Sequence, residues 1–179
     1  MAEKTISTFL MECMAKALTE LLKEKPLSAI SVSEITQKAG VSRMTFYRNY
    51  ETKEEIFGKY LDYQFDLFHR EVAGKGRHAS FIQYDIILLG FDFFRRNADL
   101  VRCLLENNMS SGLREKIVQN ELNLSLSSRD DEESRYTTIA YASALFGVMT
   151  TWVQEDMKED PRKLARLICD LYQQKIRRY

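Results

Sequence analysis

The segment Gln37–Tyr50, QKAGVSRMTFYRNY, differs in charge from the rest of the chain. It carries three basic side chains and no carboxylate, although the 26 basic and 26 acidic residues of the 179-residue sequence cancel. Gly40 lies near its start and Ser42 follows two residues later, before a run of hydroxyl and aromatic side chains. A net-neutral protein that removes acid from one short segment presents a surface suited to an anionic partner.

Capping signals divide this part of the chain into short helices. The sequence SVSE, Ser31–Glu34, has the spacing of a capping box, in which the serine hydroxyl and the glutamate carboxylate each accept a backbone N–H. Gly40 suits the left-handed residue that ends this helix, and Ser42 suits the cap of a second one. An apolar-faced helix over about residues 5–25, ended by Pro26, precedes both. Together they predict a three-helix helix-turn-helix unit.

The second short helix, about Ser42–Tyr50, is the candidate recognition helix. Its apolar side, with Phe46, is expected to pack inwards, while an outer side faces solvent. Arginine donates to guanine edges and phosphates, hydroxyls bond to either, and an acid-free face does not repel the backbone of DNA. An alternative remains open, in which Tyr47 is core and Arg48 is a solvated charge. The outer side consists of Ser42, Arg43, Met44, Thr45, Tyr47 and Arg48.

The rest of the sequence has helical apolar spacing and no convincing strand, with only two prolines. We expect an all-α protein of about nine helices. A helix-turn-helix domain, residues 1–62, would precede a helical bundle, residues 63–179, with the boundary inside a long fourth helix. That helix is expected to open at a second capping box, TKEE, Thr52–Glu55.

Several classes of protein are not indicated. Three cysteines without CxxC spacing and two isolated histidines predict neither a disulfide framework nor a metal site. We find no nucleophile beside a base, no paired-carboxylate motif and no phosphate-binding glycine loop, so we expect no enzyme and no cofactor. The N-terminal residues lack a signal-peptide core, and no apolar run approaches about 18 residues. We therefore expect a cytoplasmic protein without membrane contact.

The stretch SVSEITQKAGVSRMTFYRNYETKEEI, Ser31–Ile56, resembles the DNA-binding region of the TetR family of bacterial transcription regulators. The resemblance implies that Thr45 and Tyr47 contact DNA, Tyr47 at a phosphate, and that Lys53 contacts another phosphate. Positions of Arg43 and Met44 vary in the family and help to set sequence choice. Met44 departs from the small residue frequent there, which should change the preferred bases. Ser31 and Lys38 complete the candidate DNA-binding set.

The segment Tyr141–Ile168 resembles a subgroup of the same family, whose last two helices pair with their copies in a four-helix bundle. A stripe of small residues on the first of these helices would permit close approach of another helix, and an apolar stripe follows on the last. Ordinary packing within one chain would also explain both stripes. The candidate dimer residues are Ala144, Gly147, Val148, Thr151, Leu164, Leu167, Ile168 and Leu171.

The resemblance implies a dimeric repressor that binds a pseudo-palindromic operator in double-stranded DNA and is released by a small-molecule effector. Aromatic residues at helical spacing, among them Phe91 and Trp152, could line an effector cavity or form ordinary core. No residue is assigned to the effector, and its identity, the operator and the sign of regulation do not follow from the sequence. The alternative function is a co-activator of the same fold that works through a protein partner.

Overall fold

The computed structural model describes residues 7–74, 83–125 and 132–176, which contain nine α-helices, one short 3₁₀ helix and no strand. The all-α prediction is confirmed. No helix in these ranges combines the length and apolarity needed to cross a membrane. The helices are α1 Thr8–Leu22, α2 Val32–Ala39, α3 Arg43–Asn49, α4 Glu55–Ala73, α5 Tyr84–Arg96, α6 Ala98–Glu106, α7 Ser111–Ser125, α8 Glu132–Gln154 and α9 Pro161–Ile176.

The predicted caps around α2 are confirmed. Ser31 Oγ accepts the N–H of Glu34 at 3.3 Å, and Glu34 Oε2 accepts the N–H of Ser31 at 2.9 Å, which completes the capping box. Gly40 follows α2 with a φ of 69°, a left-handed conformation that costs glycine little. The chain therefore turns sharply after Ala39 and enters α3 at Arg43.

Two boundaries differ from the prediction. Helix α1 ends at Leu22, before Pro26, and a 3₁₀ helix at Leu27–Ala29 fills the connection to α2. The capping box expected at Thr52–Glu55 does not form in that register, because α4 begins only at Glu55. The Glu55 carboxylate instead accepts the N–H of Glu51, at 3.1 Å.

The described residues form two compact units, and the chain passes from the first to the second between Leu67 and Phe68, inside α4. Cys103–Met109 belongs to the first unit, and the second resumes at Ser110. In the first unit α2 packs against both α1 and α3. Its core includes Met14, Leu18, Ile30, Ile35, Phe46 and Ile56, each at most 1% exposed.

In the second unit α7 packs on α8, while α5 packs on α8 and α9. Gly90 on α5 faces the Met149 side chain of α8, and a Cβ there would lie 2.7 Å from the terminal methyl group of Met149. Phe91 and Trp152 are buried and meet edge to face, with ring centroids 5.0 Å apart. The Trp152 indole N–H also donates to the carbonyl of Glu159 at 2.8 Å. These two aromatics are therefore packed core residues.

Candidate nucleic-acid interface

Helix α3 begins at a side-chain cap supplied by the turn. Ser42 Oγ accepts the N–H of Thr45 at 3.1 Å, and the hydroxyls of the two residues lie 2.9 Å apart. The cap satisfies one of the backbone donors that a helix start leaves without a partner. The predicted cap is confirmed, but the hydroxyls of Ser42 and Thr45 are turned towards each other at the start of the helix.

The aromatic pair in the middle of α3 divides between core and solvent. Phe46 is 1% exposed and packs against Tyr50, with ring centroids 5.5 Å apart. Tyr47 is 65% exposed, and its ring touches Phe46 only edge-on. Core packing therefore accounts for Phe46 and Tyr50 but leaves Tyr47 on the surface, against the alternative in which Tyr47 is core.

The outer face of α3 carries large side chains that are exposed to solvent. Met44 is 77% exposed, and Arg43 and Arg48 are exposed as well. Among the residues that the structure describes, neither arginine forms an ion pair. Exposing a large apolar side chain between unpaired cations brings no folding benefit. This combination suits contact with the bases and phosphates of a duplex.

The two lysines of the predicted set are engaged inside the chain. Lys38 Nζ lies 3.3 Å from a carboxylate oxygen of Glu20, on α1, and 3.8 Å from one of Glu24, just after the end of α1. Lys53 Nζ donates to the carbonyls of Leu27, at 2.7 Å, and of Ile30, at 2.6 Å. Part of the charge of each lysine is therefore used to hold α2 or the 3₁₀ helix in place.

A hollow of about 310 Å³ beside α3 brings together Ser31, Tyr47 and Lys53 of the predicted set. These side chains come from the start of α2, from α3 and from the connection before α4. Lys38 is not among the residues that line it. The full lining is Ile30, Ser31, Val32, Phe46, Tyr47, Glu51, Thr52, Lys53 and Glu54.

The Ser31 capping box carries a strongly stabilised carboxylate. Hydrogen bonds from the Lys25 ammonium, the Ser31 N–H and the Ser31 hydroxyl lower the pKa of Glu34 to about 2. Glu34 therefore stays ionised at any pH at which DNA binding would be measured. Its role is to fix the start of α2, which in turn packs against α3.

Ser31→Ala should lower the stability of the protein by about 1 kcal/mol, the usual cost of losing a serine N-cap. DNA affinity should fall with it, because α2 supports α3. Ser33→Ala is a matched control, since Ser33 is exposed inside α2 and caps nothing among the described residues. Thermal melts and gel shifts of the two variants test this, and equal behaviour of both would contradict it.

Sequence reasoning missed Lys59, whose Nζ lies 2.5 Å from the carbonyl of Asn49, the last residue of α3. The only sequence signal was its spacing from Glu55, because an acid and a base four residues apart pair on a helix. That pair forms, at 3.3 Å. The reach of Lys59 back to α3 depends on how the two helices meet, which local spacing does not give.

The candidate dimer residues lie on α8 and α9, and they differ in how far they are exposed to solvent. Ala144, Gly147 and Thr151 on α8 are exposed, and Val148 is half-buried. On α9, Leu167 is 54% exposed and Leu171 58%, Leu164 is half-buried, and Ile168 is 5% exposed. Ile168 thus packs within its own chain, whereas two large leucines beside it face solvent.

Family models match both parts of the chain. Residues 83–174 match the model described as "Transcriptional regulator C-terminal region", and residues 15–60 match "Bacterial regulatory proteins, tetR family". A search among curated proteins found no match.

Solved structures with the same fold cover nearly the whole chain at low sequence identity. Lin0861 from Listeria innocua has a TM-score of 0.76 at 15% identity, over 96% of this chain and 94% of its own. The dihydroxyacetone kinase operon activator DhaS has a TM-score of 0.61 at 19% identity, over 97% and 99%. NalD, the secondary repressor of the MexAB-OprM multidrug efflux pump in Pseudomonas aeruginosa, has a TM-score of 0.58 at 22% identity, over 90% and 93%.

Proposed function

Because the chain belongs to the TetR family of bacterial transcription regulators, and so is a DNA-binding regulator and not an enzyme, we propose that it is a ligand-responsive dimeric repressor. It binds a pseudo-palindromic operator in double-stranded DNA, in the cytoplasm, with one α3 helix in the major groove of each half-site. The observation that carries the proposal is the outer face of α3. Arg43, Met44, Tyr47 and Arg48 are exposed there without a carboxylate between them.

The residues of this face divide by the part of DNA they would contact. Arg43 and Met44, in the first turn of α3, would meet base edges and set sequence preference. Tyr47 and Lys53 share the hollow beside α3 and would contact phosphate oxygens. Lys53 has two carbonyl partners, so one donor of its ammonium group remains for a phosphate.

Arg43→Ala should lower affinity for the preferred duplex about tenfold or more and relax preference at one base pair per half-site. Non-specific affinity should change much less. The duplex is first selected from a random pool by the wild-type protein, and binding is then measured against that duplex and a scrambled one. Arg70→Ala, an exposed arginine at the end of α4, is the matched control. Equal loss in the two variants would remove the base-reading role of Arg43.

Sequence-selective binding by the purified chain also separates the two candidate functions. A co-activator that works through a protein partner would not select a duplex on its own, whereas the proposed regulator would. Nothing in the geometry of the described residues favours the co-activator, because the outer face of α3 suits DNA contact directly.

The dimer is proposed from the exposed rows on α8 and α9. A single recognition helix contacts only a few base pairs, so two copies related by a two-fold axis are needed for a site that is rare in a genome. Small residues on α8 permit a second helix to approach closely, and exposed Leu167 and Leu171 supply apolar area for burial.

We propose release from DNA by a small molecule held among the helices of the second unit, α5, α7, α8 and α9. The neighbours are named for both signs of regulation, NalD as a repressor and DhaS as an operon activator. Transcription in vitro from a promoter that overlaps the selected duplex decides the sign here. The proposed repressor should lower transcription, and an increase would contradict the proposal.

A further inference from the structure

The start of the connection from α3 to α4 is held by two side chains of α4. Lys59 Nζ donates to the carbonyl of Asn49, the last residue of α3, at 2.5 Å. Glu55 Oε2 accepts the N–H of Glu51, two residues further on, at 3.1 Å. Lys59 Nζ and Glu55 Oε2 lie 3.3 Å apart, so the four groups form one closed network. One helical turn of α4 thus holds a carbonyl and an N–H that no helix ladder satisfies.

The same lysine also contacts the core beneath α3. Its Nζ lies 5.3 Å from the ring centroid of Tyr50, which is 2% exposed and packs on Phe46. A cation at this point also suits the negative end of the α3 macrodipole. The Glu51 N–H and the Lys59 ammonium hold the pKa of Glu55 below its ordinary value, so the Glu55 carboxylate stays ionised at neutral pH.

We propose that Glu55 and Lys59 form a clip that fixes the carboxyl end of α3 and are positioning residues for the reading of DNA sequence. The inference rests on the proposed function, in which α3 enters the major groove. A helix of seven residues keeps few hydrogen bonds of its own, so its direction depends on how its ends are held. Base contacts by Arg43 need that direction fixed, because hydrogen-bond geometry is lost within about 0.5 Å.

The charge of Lys59 would also suit a phosphate contact, because its side chain is 43% exposed. A lysine that neutralises a phosphate raises the affinity for every duplex alike and contributes about 0.9 to the slope of log affinity against log salt. A positioning lysine raises the affinity for the preferred duplex only and leaves that slope unchanged. The two roles therefore have opposite signatures in one binding experiment.

The experiment measures binding of Lys59→Met, Lys59→Arg and Glu55→Gln to the duplex selected by wild type and to a scrambled duplex, over a range of salt. Circular dichroism first establishes that each variant is folded at the assay temperature. Lys59→Met and Glu55→Gln should lose about tenfold in affinity for the selected duplex, because one well-placed base contact contributes about that much to affinity. Both should keep wild-type affinity for the scrambled duplex, and Lys59→Arg should retain most selective binding because it still donates to Asn49.

Lys16→Met removes the same charge from an exposed position on α1 and is the control. It should not change the affinity for the selected duplex relative to the scrambled one. Equal weakening of Lys59→Met on both duplexes, with a slope reduced by about 0.9, would make Lys59 a phosphate contact and overturn the clip. Unchanged binding by folded Lys59→Met or Glu55→Gln would overturn it too. Failure of the wild type to select any duplex would instead overturn the proposed function, so the two failures are distinguishable.

Discussion

Gly147→Glu should leave the chain folded but convert a dimer of about 42 kDa, twice the 21.0 kDa chain, into a monomer. A charged side chain would then stand where the second copy of α8 is proposed to approach, and an uncompensated buried charge costs several kcal/mol. The monomer should lose roughly 100-fold or more in affinity for a full palindromic site, because the second half-site no longer adds to the first.

Contacts within a single chain do not disfavour folding of the Gly147→Glu variant. Gly147 is exposed, and a Cβ built there meets nothing within 4 Å. Glutamate also favours a helix interior more than glycine does, by roughly 0.5–1 kcal/mol. Any effect of the substitution therefore has to come from contact with another molecule.

Gly112→Glu is the matched control, since a Cβ on that residue of α7 also meets nothing within 4 Å. Sedimentation at micromolar concentration and binding to full and half palindromes compare the two variants with wild type. A dimeric Gly147→Glu would move the interface elsewhere on the surface. A wild-type monomer that binds a full palindrome tightly would refute the dimer itself.

Features that depend on neighbouring residues were predictable from the sequence. The Ser31–Glu34 box and the Ser42 cap each join residues three positions apart, and Gly40 acts through its own backbone freedom. The separation of Phe46 from Tyr47 follows from the 100° step between successive helical residues. These local signals defined α2, the turn and α3, and hence the face proposed to read DNA.

Features that depend on distant partners were not predictable. Lys53 reaches carbonyls more than 20 residues earlier, and Lys59 reaches the end of a different helix. Helical periodicity placed Ile168 and Leu171 on one stripe, but only the direction in which α9 packs decides that Ile168 is buried and Leu171 is not. An acid such as Glu121 is expected at the surface from residue preference alone, yet it lies in the interior.

Glu121 lies on α7 in a setting that opposes its ionisation. It is 6% exposed, and its Oε2 has no hydrogen-bond partner among the residues described. Burial raises its pKa from 4.5 to about 8. Burial also raises the pKa of Tyr141 on α8, and the Glu121 charge raises it further, which indicates that the two groups are close. At neutral pH the folded chain therefore holds a proton on Glu121 that the unfolded chain releases.

This difference makes stability fall as pH rises. Below pH 4.5 Glu121 is protonated in both states and contributes no pH dependence. Between 4.5 and about 8 the folded state binds one proton more than the unfolded state, so each pH unit removes up to about 1.4 kcal/mol of stability. Above about 8 the carboxylate is ionised in both states, and the full cost of burying the charge is present.

Glu121→Gln should abolish this dependence, so its stability relative to wild type should rise by about 3 kcal/mol between pH 5 and pH 8. For a chain of this length that is a relative gain of roughly 6–12 °C in melting temperature. Glu115→Gln, at an exposed position of the same helix, is the matched control and should follow wild type. Denaturant titrations of the three proteins at equal concentration and several pH values measure the slopes. Parallel slopes for wild type and Glu121→Gln would mean that Glu121 is ionised in the folded chain and finds a partner or solvent there.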